Sequence, residues 1–77
     1  MTAADGAPFA LDEFLQVADR IAERIKAGEF GEGGRLPSAP QLCEHYGAGA
    51  GVIRHARQEL KLRGLIVIVP GKGAFTA

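Results

Sequence analysis

An α+β fold, three helices followed by a small two-stranded hairpin, is what this sequence predicts, and two observations carry the prediction. Apolar residues recur three and four apart at Leu11, Phe14, Leu15, Ala18, Ile21, Ala22 and Ile25, the spacing of one face of an amphipathic helix. Toward the other end a β-branched run, Ile66-Val67-Ile68-Val69, meets Pro70-Gly71-Lys72-Gly73, which is strand chemistry followed by turn chemistry. Between them, the run LPSAPQLCEHYG, a glycine-rich gap and VIRHARQELKLRGL read as two shorter helices. Helix, helix, helix, hairpin is the order of a winged helix-turn-helix, an architecture whose usual chemistry is DNA binding rather than catalysis.

Each element has a local reason. Met1 to Pro8 is small, polar and proline-ended, so residues 1–9 read as a flexible arm and residues 10–77 as the folded domain. The first helix is expected from about Leu11 to Ala27, with Asp12 and Glu13 in its first turn, Lys26 in its last, and Gly28 as a left-handed stop. After the turn at Gly31, Gly33 and Gly34, Arg35-Leu36 can pair as a short strand. Ser38 is placed to cap the second helix, Pro40 falls in its first turn, and Gly47 ends it.

The third helix is expected from about Gly51 to Arg63. It should bury Val52, Ile53, Ala56 and Leu60, turn Arg54, His55, Arg57, Gln58 and Lys61 outward, and stop at Gly64. Leu65 to Val69 and Ala74 to Ala77 form the hairpin. The expected core is Leu15, Ile21, Ile25, Leu36, Leu42, Tyr46, Val52, Ala56, Leu60 and Leu65.

Charge is balanced overall and polarised along the chain. Nine basic residues offset nine acidic ones, but Met1 to Gly33 carries seven acids against three bases, and Arg35 to Ala77 carries six bases against two acids. The positive half coincides with the second helix, the third helix and the hairpin. A basic surface there suits a polyanion, even though the whole chain lacks the excess positive charge of many nucleic-acid binders.

The 77 residues suit one small domain, and such a domain buries only about 60% of its unfolded surface. A second, ligand-sensing module is not expected within them. A single cysteine, Cys43, can form no internal disulfide, which suits a reducing cytoplasm. No apolar run approaches membrane-spanning length, so no membrane association is expected. Cys43 and His45 lie two apart on a helix and so on different sides, giving no metal set. No nucleophile triad, carboxylate pair or phosphate-binding glycine loop is visible, so neither enzyme chemistry nor a cofactor is expected.

The stretch Leu36-Pro37-Ser38, Leu42, Tyr46-Gly47, Val52, Arg54, Ala56, Leu60, Gly64-Leu65, Gly71, Gly73 and Phe75 resembles the DNA-binding domain of the GntR family of bacterial transcriptional regulators. The resemblance covers roughly Leu11 to Ala77. It implies a cytoplasmic transcriptional regulator that binds double-stranded DNA, with the third helix in the major groove and the wing near the minor groove. The candidate DNA-contacting residues that follow are Arg35, Ser38, Gln41, Arg54, His55, Arg57, Gly71, Lys72 and Gly73.

The chain departs from the family pattern where bases are usually read. The Ser and Arg of GVSRxTVR are Gly49 and Ala50 here, and the Arg that usually follows PSE is Pro40. A good base contact contributes roughly 1 to 3 kcal/mol of discrimination, so sequence reading should be relaxed. Two further partners are implied. A homodimer would use the first helix or the apolar strand. Alternatively, the domain is a degenerate winged helix that binds a protein through Ile66 to Val69, with weak or no DNA binding.

Overall fold

A computed structural model describes residues 10–77. The expected arm over residues 1–9 lies outside the described residues, as do the side chains of Leu11 and Asp12. Three helices, α1 (Ala10–Lys26), α2 (Ala39–Tyr46) and α3 (Ala50–Leu62), precede β1 (Ile66–Val69) and β2 (Gly73–Thr76). Helix and strand ends fall within one residue of the expected bounds.

The local stops act as their chemistry dictates. Gly28, at φ 81°, turns the chain out of α1, and Gly47 ends α2 in the left-handed conformation at φ 63°. At the start of α2 the Ser38 hydroxyl accepts from the Gln41 amide at 3.3 Å, and the Gln41 side chain accepts from the Ser38 amide at 2.9 Å. That reciprocal pair satisfies two amides a helix start otherwise leaves open. In contrast, α3 begins at Gly49 with no side-chain cap.

The strands pair antiparallel, Ile66 with Thr76, Val67 with Phe75, Ile68 with Ala74 and Val69 with Gly73. Pro70 and Gly71 sit at the centre of the connecting turn, with Gly71 at φ 78° and the Lys72 amide bonded to the Val69 carbonyl at 2.9 Å. A proline followed by a positive-φ glycine is the signature of a type II turn. Arg35 extends the sheet by a single bridge to Phe75, and the Leu36 amide donates to the Ala74 carbonyl at 2.9 Å. Thr76 locks this seam. Its hydroxyl donates to the Gly31 carbonyl at 2.8 Å and accepts from the Gly34 amide at 2.9 Å. Gly34 cannot carry a side chain, because a Cβ there would stand 1.6 Å from the Phe30 carbonyl oxygen.

One core joins all elements: Val17, Ala18, Ile21 and Ala22 of α1, Leu36, Leu42 of α2, Ile53, Ala56 and Leu60 of α3, Ile66 of β1 and Ala74 of β2. Three expectations are corrected. Leu15 is 36% exposed and Val17 is buried in its stead, because at 3.6 residues per turn Leu15 lies about 120° from Ile21 and Val17 only about 40°. Ile66 rather than Leu65 is the fully buried residue after α3. Ile25, Tyr46, Val52 and Leu65 are half-buried, lining the core instead of filling it.

Candidate nucleic-acid interface

The buried side of α3 (Ile53, Ala56, Leu60) fixes what the rest of the helix presents. Arg54, Gln58 and Lys61 are exposed on the opposite side at intervals of four and three residues, forming one polar stripe. His55 is exposed but turned to the α1 flank. Its Nδ1 lies 2.9 Å from the Gly51 carbonyl, which can only accept, and its ring is 5.5 Å from that of Phe14.

Arg57 departs from the expected outward orientation. It is half-buried on the flank of α3 that meets the hairpin, and its Nε is buried with no hydrogen-bond partner. With Arg54, Gln58 and Ile68 it lines a crevice of about 170 Å³. The Glu59 carboxylate, on the same helix, is engaged elsewhere. Arg63 takes Glu59 at 2.9 Å and Asp19 of α1 at 2.9 Å, and those two acids, Glu59 foremost, hold the Arg63 guanidinium above its ordinary pKa. Among the described residues neither Arg54 nor Arg57 makes an ion pair.

The wing exposes Lys72 at its tip, beside Gly71. Gly73, at φ 126°, leaves room for Arg35, whose Nε would stand 3.2 Å from a Cβ placed there. Arg35 thus lies against the turn end of β2 and also lines a groove of about 710 Å³ with Ser38, Gln41 and His45. Ser38 and Gln41 spend their side chains on the α2 cap. Arg24, on the same groove, donates to Glu29 at 3.0 and 2.6 Å and to the Tyr46 hydroxyl at 2.9 Å, and it lies 4.9 Å from the centre of the Phe30 ring. The hydrogen bond that Arg24 donates to Glu29, then the one it donates to Tyr46, raises the Arg24 pKa, and the contact with Arg24 lowers that of Glu29. Arg24 is a clip between α1 and α2, invisible to sequence reading because its partners lie on separate segments.

All the candidate residues but His55 therefore fall in three places. Arg35, Ser38 and Gln41 share the groove, Arg54 and Arg57 share the crevice, and Gly71, Lys72 and Gly73 form the wing. His55 stands apart toward α1. Gln58 joins the crevice and was not among the candidates; its position four residues after Arg54 was the available signal. The apolar strand divides by face: Ile66 is buried and Ile68 packs against the core, whereas Val67 and Val69 are 47% and 36% exposed. This corrects the four-residue surface expected at Ile66 to Val69. Among the described residues no group of three potential metal ligands gathers, and no helix is long and apolar enough to cross a membrane. Cys43 is half-buried against the core.

Comparison with known proteins gives a consistent picture. Residues 14–76 match the family described as bacterial regulatory proteins, gntR family. The HTH-type transcriptional repressor NanR of Klebsiella aerogenes is 40% identical over 58 residues, 75% of this chain and 22% of that protein. The uncharacterized HTH-type transcriptional regulator YcxD of Bacillus subtilis is 34% identical over 65 residues, 84% of this chain and 15% of that protein. The chain thus spans about a fifth of the length of these relatives. Among solved structures, the DNA-binding domain of AraR in complex with operator ORE1 superposes with a TM-score of 0.83 at 30% identity, covering 94% of this chain and 88% of that one.

Proposed function

The chain belongs to the gntR family of bacterial regulatory proteins, and from that premise we propose that it binds duplex DNA in the cytoplasm as a transcriptional regulator and carries out no catalysis. The observation that carries this reading is the cationic surface of α3 and the wing. Arg54 stands exposed and without an ion-pair partner among the described residues, Arg57 lies beside it, and Lys72 caps the wing. The likeness to an operator-bound AraR domain supports it.

In this reading α3 enters the major groove and the wing lies near the minor groove. Arg35, Arg54, Arg57 and Lys72 meet phosphates, and Gly71 and Gly73 allow the wing backbone close approach. The backbone at Ser38 and Gln41 faces the duplex, and His55 sits at the edge of the contact. Because Gly49 and Ala50 offer no base-reading side chains, affinity comes mainly from phosphate neutralisation. Arg54→Ala and Lys72→Ala should each weaken binding to every duplex at low salt. Unchanged affinity in both variants would remove the assigned face.

One observation favours a second reading. Val67, Val69 and Phe75, across from Val67, occupy the outer face of the hairpin, and both valines are open to solvent. A protein partner, or a second copy of this chain meeting it here or through α1, would cover that face. Val67→Asp should then abolish the association while leaving the circular dichroism spectrum intact. Sedimentation as a monomer at high micromolar concentration, with and without DNA, would exclude the homodimer.

A further inference from the structure

Among the described residues, the Nε of Arg57 is the buried side-chain nitrogen or oxygen without a hydrogen-bond partner. Native structures leave few such atoms, and each one costs stability. A second cost is added by charge. Arg54 shares the crevice, no carboxylate lines it, and Glu59 on the same helix is committed to Arg63. Two cationic side chains thus line one small space whose other walls, Gln58 and Ile68, carry no charge.

The apolar alternative is plain. The neighbour across the crevice is Ile68, which packs against the core, so a leucine at position 57 would seat against it and leave no polar atom stranded. An arginine held there against both penalties suits an anion that arrives from outside. The crevice, at about 170 Å³, holds several times the roughly 30 Å³ share of one water molecule, which leaves room for a phosphate group. Its position between α3 and the hairpin is where a backbone phosphate would pass when both elements engage a duplex.

We infer that this crevice is a phosphate clamp in which Arg57, with Arg54 beside it, grips one DNA backbone phosphate, and that Arg57 is kept for that contact at the expense of stability. The inference rests on the DNA-binding reading above. Its physics is that of a preset fork: the wedged stem and Nε fix the aim of the terminal amines, and a guanidinium meets phosphate oxygens through two parallel hydrogen bonds. Gln58 supplies a neutral amide at the rim.

The test compares the full chain with Arg57→Leu and Arg57→Lys, reading thermal unfolding and affinity for mixed-sequence duplex DNA across a salt series. Arg57→Leu should melt roughly 4 to 8 °C higher, as the stranded donor disappears. It should bind roughly tenfold more weakly at low salt. The slope of log affinity against log salt should become shallower by about 0.9, the loss of one neutralised phosphate. Arg57→Lys should keep most of that slope, since the charge remains. A lower melting temperature for Arg57→Leu would overturn the trade between stability and charge. Salt-dependent binding that Arg57→Leu leaves unchanged would defeat the clamp alone, whereas no salt-dependent binding by the unaltered chain would defeat the DNA-binding reading and the clamp with it.

Discussion

At the start of α2, Ser38 and Gln41 close a reciprocal pair of side-chain hydrogen bonds onto the backbone, whereas α3 opens at Gly49 with no side-chain cap and runs on through Ala50 and Gly51. The two starts belong to one helix-turn-helix and sit on one core, yet they are built to different ends. The α2 start is finished: both candidate side chains there are consumed in holding the helix. The α3 start is bare, and the charged side chains of that helix begin only at Arg54. What differs is the origin of the glycines. Gly47 needs its left-handed φ of 63°, but Gly49 and Gly51 are not in that region and have open space where a Cβ would stand. The fold does not require the bare stretch.

The largest way to break the comparison is to remove the platform both helices share. Leu60 is fully buried among residues of every element, so Leu60→Ala should cost about 2 to 5 kcal/mol, read as a lowered denaturation midpoint. An unchanged midpoint would mean that the core has been misassigned. Next comes the α2 cap. Ser38→Ala should cost about 1 kcal/mol by chemical denaturation, and a neutral result would show that the capping box contributes nothing. The smallest effect has the opposite sign. Gly51→Ala should stabilise the domain by about 0.5 to 1 kcal/mol, the usual penalty of a helical glycine. A destabilised Gly51→Ala would mean that the α3 start is under a constraint like that of Gly47.

Much of this was legible in the sequence, and the failures have physical causes. The three-and-four spacing of α1, the Ser38 cap and the stops at Gly28, Gly47 and Gly64 are local signals, and each acts where expected. Leu15 departs from its expected burial because a wide apolar stripe does not say which of its edges faces the core; Val17, on the other edge, is the buried one. The strand Ile66–Val69 showed its composition but not its inward face, which depends on which residues of α3 it meets. Thr76 could not be foreseen as a lock, since its hydroxyl partners Gly31, 45 residues away, and Gly34.

The candidate site divides in the same way. Arg54 and Lys72 stand exposed, as spacing suggested. For Arg57, helical spacing gave only an adjacent face. That this face looks into the seam with Ile68, stranding Nε, is a tertiary fact. Ser38 and Gln41 illustrate the reverse, since residues that resemblance assigns to DNA also have a complete structural use.

The central claim is that retained cations on α3 and the wing, rather than side chains at the first turn of α3, govern contact with DNA. The most direct test is the affinity of the unaltered chain for two unrelated mixed-sequence duplexes across a salt series. The account predicts two nearly coincident lines with a slope of about −2.7, or −0.9 for each of three phosphates: the one gripped by Arg57 with Arg54, and those met by Arg35 and Lys72. A slope near zero, or one duplex bound orders of magnitude more tightly than the other at every salt concentration, would contradict it.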